Sequence, residues 1–110
     1  MRAARLRRGE DIARVRSEGT SRSGTLFSLR ALATDQQAVR VAVAASRAVG
    51  GAVERNRARR RVREAVRMAL LPRQARSGAD LVLMARPGAL TATATELRAS
   101  IERELDVVLR

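Results

Sequence analysis

The chain has 110 residues, enough for one compact domain over residues 1–110 with one modest core. Its 23 basic residues face 11 acidic ones for a net charge of +12, and it contains no His, no Cys and one aromatic residue, Phe27. These features argue against a disulfide framework, a thiolate metal site and histidine acid–base chemistry, and no apolar run nears the ~20 residues that span a bilayer.

The basic start, Met1 to Arg8, has no hydrophobic stretch after it, so a secretory signal is not expected and a cytoplasmic location is. Gly9 to Gly19 reads as a short helix, with Glu10 and Asp11 in the first turn, where the helix dipole favours acids. Gly19 is placed to end it. A short strand is allowed at Thr20 to Ser23. Thr25 to Leu32 reads as a strand with Phe27, Leu29 and Ala31 on its core face and Leu26, Ser28, Arg30 and Leu32 on the other. Thr34 to Gln37 suits a hairpin loop, and Arg40 to Ser46 a second strand of small residues.

Gly50 and Gly51 break the chain before a long helix, Ala52 to Leu71, which Pro72 stops. Pro72 to Ala79 reads as a loop. Asp80 to Arg86 is a continuous apolar run that suits a central strand covered on both faces. Pro87-Gly88 reads as a turn. Thr93 and Glu96 form a capping box for a last helix, whose stripe is Leu97, Ile101, Leu105 and Val108. The order suggests an α+β sandwich with helices against a small sheet.

The long helix concentrates the charge. Residues 55–67 hold seven Arg and one acid, Glu64, a balance of +6. At 100° per residue, Ala58, Val62, Ala65, Val66 and Ala69 fall within a sector about 80° wide, which suits a stripe facing the core. Asn56, Arg57, Arg60 and Arg67 fall on the far side. Arg59, Arg61 and Arg63 flank the stripe, and Arg55 lies near it in the first turn. Like charges at i,i+4 along Arg55, Arg59, Arg63 and Arg67 repel, and a polyanion relieves that repulsion. Asn56 adds a neutral donor and acceptor suited to a 2′-hydroxyl or a base edge. Charge alone does not separate a nucleic acid from an anionic membrane surface. Ala58, Ala65 and Ala69 are small for membrane anchors, which counts against the second.

Strand Arg40 to Ser46, Gly50, and then Ala52-Val53-Glu54-Arg55-Asn56-Arg57-Ala58-Arg59-Arg60-Arg61-Val62-Arg63 resemble the hallmark of the bacterial ribonuclease P protein family. Asp80 to Arg86 with Pro87, and Leu6-Arg7-Arg8 through Gly19-Thr20, extend the resemblance over nearly the whole chain. The resemblance implies a two-layer α-β sandwich, with a four-stranded sheet, three helices and a left-handed β-α-β crossover. Sequence alone would favour a right-handed one, the hand of ~98% of such connections.

The resemblance also implies a role as the protein subunit of ribonuclease P, a tRNA-processing endoribonuclease whose RNA subunit carries the metal ions and the chemistry. Magnesium would act through that RNA, with no cofactor and no catalytic residue in the protein itself. The implied partners are the catalytic RNA and precursor tRNA, with no membrane and no stable protein partner. Arg55, Asn56, Arg57, Arg59, Arg60 and Arg63 match the RNA-contacting motif, with Arg47 before them and Arg67 further along the same helix. A cleft for the 5′ leader is implied at Ile12, Arg16, Ser28, Arg30 and Ser46. The family's aromatic cleft positions hold Ile12, Arg16 and Arg30 here, so guanidinium groups would replace rings. The alternative is a general basic RNA-binding protein, such as a ribosomal protein, without a role in cleavage.

Overall fold

A computed structural model describes residues 1–74 and 77–109 of the chain. In chain order the strands are β1 (Ala4–Arg5), β2 (Thr20–Ser23), β3 (Phe27–Thr34), β4 (Val39–Ala45) and β5 (Gly78–Ala85). The helices are α1 (Gly9–Glu18), α2 (Ala52–Leu70), α3 (Gly88–Thr91) and α4 (Ala94–Val108), with a 3₁₀ turn at Arg47–Val49. One mixed sheet runs β1-β4-β5-β3-β2. Strands β1, β4 and β5 are parallel neighbours, and β3 and β2 join antiparallel. Helix α2 therefore forms the connection between the parallel strands β4 and β5.

β5 is the centre of the fold. It is buried at nearly every position, as the continuous apolar run predicts. On one face, Leu81 and Leu83 join Phe27, Leu29, Val41 and Val43 beneath α2 and α4. On the other, Val82 meets Leu6 and Val15 in a smaller cluster under α1, with Ile12, Leu32 and Ala42 packed against it. The sandwich thus has α2 and α4 as its helical layer and α1 across part of the opposite sheet face.

The α2 side chains on the core are Ala58, Val62, Ala65, Val66, Ala69 and Leu70, the stripe expected from the wheel plus Leu70. The alanines hold α2 close to the sheet while burying little area each. The last helix keeps its stripe: Leu97, Ile101 and Leu105 are buried, and Val108 packs at the edge of the same core. Its cap forms as expected, with the Glu96 backbone N–H donating to Thr93 Oγ1 at 3.1 Å.

The structure corrects the expectation in several places. Strands β3 and β4 lie on either side of β5 and do not pair, so Thr34 to Gln37 is not a hairpin loop. The sheet has five strands rather than four, because the two-residue β1 pairs with the free edge of β4. Two residues carry no readable periodicity; tertiary pairing makes the strand. Pro87-Gly88 is not only a turn but opens the single-turn helix α3, with Pro87 already helical at φ −51°, so there are four helices rather than three. Gly19 ends α1 without a left-handed backbone, at φ −75°. Its glycine requirement is steric instead: a Cβ there would lie 2.5 Å from the Val15 carbonyl oxygen and 2.9 Å from that of Ala31. Gly50, at φ 137°, supplies the positive-φ turn that leads from β4 toward α2. Positions 75 and 76 of the loop read from Pro72 to Ala79 lie outside the described residues, and β5 begins at Gly78, inside that expected loop.

Asp80 is 4% exposed and lies near the start of β5, facing the α1 side. Arg40 of β4, its register partner, grips it with two bonds: Nε to Oδ1 at 2.8 Å and Nη2 to Oδ2 at 2.6 Å. Arg40 also reaches Asp11 of α1 at 3.4 Å, so one guanidinium ties helix to sheet. The neighbouring carboxylates, Asp80 first, raise the Arg40 pKa above its ordinary value. Arg40→Ala leaves a buried carboxylate unpaired and is expected to cost on the order of 3 kcal/mol in urea denaturation. Asp80→Ala should cost less, because Arg40 keeps Asp11 and partial access to water. Adding Asp80→Ala to Arg40→Ala should recover part of the loss; a double variant less stable than Arg40→Ala would contradict this account.

Candidate nucleic-acid interface

The arginine face of α2 follows from how the helix docks. Its small-residue stripe turns to the sheet, so the remaining positions must face outward. Asn56, Arg57, Arg60 and Arg67 are exposed, Arg55, Arg59, Arg61 and Arg63 half-buried, and Arg47 exposed on the 3₁₀ turn before the helix. Val53, Asn56, Arg59, Arg60 and Arg63 line a shallow groove along this face.

These arginines are not equivalent. Arg61 turns inward: Nη1 donates to the Ala89 carbonyl at 2.6 Å and Nη2 to that of Ala92. It fastens α2 to α3 and the loop before α4. Arg67 is bidentate on Glu64, at 3.0 and 2.6 Å, so its charge is largely matched within the protein. That contact lowers the Glu64 pKa and raises the Arg67 pKa. Arg59 donates to Asn56 Oδ1, which orients the amide among the cations. Among the described residues, Arg55, Arg57, Arg60 and Arg63 have no ion pair with an acid. Arg63 is held below its ordinary pKa by burial first, then by the positive charges of Arg5 and Arg59. Arg5, on β1, was not singled out in the sequence; only the pairing of β1 with β4 brings it to this helix.

The residues expected for a leader cleft lie on α1 and on the α1 side of the sheet. Arg30 opposes Val82, and Ser28 opposes Met84, which in turn opposes Ala44 of β4. Ser28 is half-buried and Arg30 exposed. Arg30 Nη1 donates to the backbone carbonyl of Arg16 near the end of α1, so Arg30 and Arg16 meet across the helix–sheet junction. The carbonyl end of a helix suits a cation. Ile12 is half-buried against the small cluster and also lines a shallow groove with Arg5, Arg7 and Arg63. Ser46, just past β4, has its N–H bonded to the Ala85 carbonyl at 3.0 Å and its buried Oγ without a partner among the described residues. Phe27 is 5% exposed in the main core, so no aromatic ring lies on the α1 face.

Asp11 and Asp80, the carboxylates brought together on this face, are bridged by Arg40. Among the described residues no group of three acidic or other metal-ligating side chains gathers. No helix among them is long and apolar enough to cross a membrane.

Comparison with known proteins points one way. The family model described as Ribonuclease P matches residues 1–108. The ribonuclease P protein component of Chloroflexus aurantiacus is 46% identical over 101 residues, spanning 91% of this chain and 73% of that one. The Roseiflexus castenholzii protein of the same description is 42% identical over 105 residues, spanning 94% and 84%. The solved RNase P protein of Thermotoga maritima superposes with a TM-score of 0.71 at 25% identity, covering 96% of each chain. That of Staphylococcus aureus, at 21% identity, shares the fold with a TM-score of 0.77 over 99% of this chain and all of that one.

The two kinds of arginine on α2 can be told apart experimentally. Arg61→Ala removes two bonds from a charged donor to backbone carbonyls and is expected to cost about 2 kcal/mol of stability. Glu64→Gln should leave stability nearly unchanged, release Arg67, and strengthen binding to any polyanion at low salt. Titration of both variants against RNA, beside urea curves, checks the pair. A Glu64→Gln protein that binds no more tightly than wild type would contradict the masking of Arg67.

Proposed function

The chain belongs to the ribonuclease P protein family, and we propose that it works as the protein subunit of ribonuclease P by gripping the RNA subunit with the arginine face of α2. The observation that carries this reading is the set of α2 arginines left without acidic partners on a helix whose other side is locked to the core. A phosphate backbone supplies the missing negative charge, and the planar guanidinium fork takes two phosphate oxygens at once. A general basic RNA-binding role without cleavage is not favoured, because the family match runs over residues 1–108 rather than over the basic helix alone.

In this reading, the RNA subunit carries out hydrolysis of precursor tRNA, with magnesium held by RNA. The protein contributes binding and orientation. Arg47, Arg55, Asn56, Arg57, Arg59, Arg60 and Arg63 hold the RNA subunit, with Arg67 joining once Glu64 is displaced. The α1 face takes the 5′ leader, with Ile12, Arg16, Ser28, Arg30 and Ser46 along its path. Arg30, fixed to the end of α1 through the Arg16 carbonyl, offers its plane to a base and its remaining N–H groups to phosphate.

The decisive assay is cleavage of precursor tRNA by a bacterial ribonuclease P RNA at low magnesium, with and without the protein. The protein should restore correct 5′ cleavage and do nothing alone; binding to the RNA without any support of cleavage would reduce it to a general RNA-binding module. Arg60→Ala should weaken assembly with the RNA and lower the salt dependence of binding by about one unit of log–log slope. Arg30→Ala should spare assembly but narrow the preference for precursor over mature tRNA. If wild type and Arg30→Ala discriminate the two substrates equally well, the cleft assignment fails.

A further inference from the structure

We propose that the RNA-binding surface continues past α2 across the edge of the sheet, where Arg5 of β1 joins Arg59 and Arg63 in a further phosphate site for the RNA subunit. This rests on the functional reading above and adds a site that the motif on α2 does not contain.

The backbone places Arg5. β1 pairs in parallel with β4, Arg5 lies opposite Val41, and the Leu6 N–H donates to the Val41 carbonyl at 2.9 Å. Leu6 is 4% exposed and packs with Val15 and Val82 on the α1 side of the sheet. Side chains of an extended chain alternate, so anchoring Leu6 on that side sends Arg5 to the other, toward α2. Arg63 is the wall shared by two grooves: the outer one on α2, with Asn56 and Arg60, and an inner one over the sheet edge, with Arg5 and Arg7. The two grooves therefore meet at Arg63, and a strand laid along α2 can continue over β1.

The charge pattern points to a ligand rather than to internal pairing. Some arginines elsewhere are matched within the protein, as with Arg22 on Glu104 at 2.7 Å and Arg98 on Glu102 at 2.7 Å. The three here are not. Among the described residues, Arg5 and Arg63 have no ion pair with an acid, and Arg59 bonds only the neutral Asn56. The mutual repulsion is strong enough to lower the Arg63 pKa, after the larger effect of its burial. Three guanidinium groups converging without a counterion destabilise the free protein and gain most from a shared phosphate, which each can bind through charge-assisted bonds.

The test is equilibrium binding of the full-length protein to ribonuclease P RNA across a potassium chloride series. Arg5→Ala, Arg5→Lys, Arg60→Ala and Arg103→Ala are compared with wild type, and thermal melts verify folding. Arg5→Ala should weaken binding severalfold at low salt and reduce the slope of log affinity against log salt by about one. Arg5→Lys should retain most of that slope. Arg103→Ala, at an exposed position of α4 that lines neither groove, should match wild type. If Arg60→Ala weakens binding while Arg5→Ala matches wild type in affinity and slope, the site is overturned and the functional reading stands. If neither changes, both fall. If Arg5→Ala spares the RNA subunit and instead lowers affinity for precursor tRNA, the assignment to the RNA subunit is overturned and Arg5 belongs to the substrate path.

Discussion

Everything in this fold is arranged around one strand that must be covered twice. β5 presents Leu81 and Leu83 to one side and Val82 to the other, and both sides are buried. A single layer of helices would leave Val82 in water. Helix α1 closes that side, and the bond from Arg40 to both Asp80 and Asp11 fixes where it lies. Because α1 has only ten residues, it covers part of the face and leaves the stretch along Ser28, Arg30 and Met84 more open. The same constraint on the other side brings α2 and α4 down together. The basic helix is thus locked by its inner stripe, and its outward face is free to be polar and rich in arginine.

The net charge of +12 is unevenly spread, and the distribution of acids explains why. Glu102, Glu104 and Asp106 on α4 meet Arg98, Arg22 and Arg73, and Asp11 and Asp80 meet Arg40. These pairs are mostly surface contacts worth little in stability. Their larger effect is to cancel charge away from α2. Along α2, Glu64 offsets Arg67 alone, and Glu54 forms no ion pair among the described residues. The unmatched arginines of α2 therefore concentrate positive charge on one helix face, which attracts a polyanion before contact.

Much of this was readable in the sequence wherever a period governs the outcome. The alternation of Phe27, Leu29 and Ala31, the apolar run of β5 and the wheel of α2 all translate directly into burial. What escaped depends on neighbours distant in sequence. β1 exists because β4 has a free edge, and Arg5 gains its surroundings from that pairing. Arg61 looks like its neighbours on the wheel, yet carbonyls near residue 90 draw it inward. Gly19 sits where a helix terminator was expected, but the carbonyl of Ala31 on β3, twelve residues on, is among the contacts that forbid a side chain there. Charge at Arg67 was legible; its cancellation by Glu64 three residues earlier required side-chain geometry.

The α1 face shows how the same architecture can present different chemistry. A ring binds a base through its flat surface and gains from excluding water, with little dependence on salt. The single aromatic residue here is spent on the core, where Phe27 packs beneath the helices. What stands on the α1 face instead is Arg30, with one nitrogen held by the Arg16 carbonyl. That bond limits the rotation of a long side chain, which reduces the entropy lost when a ligand arrives. An anchored guanidinium still stacks on a base, but it also carries charge that a ring lacks. Recognition on such a face shifts from base stacking toward the phosphate backbone, and so from sequence-tolerant hydrophobic contact toward binding that weakens as salt rises. If this face takes an RNA strand as proposed, Arg30 would engage its phosphate backbone more than its bases, in kind with the arginines of α2.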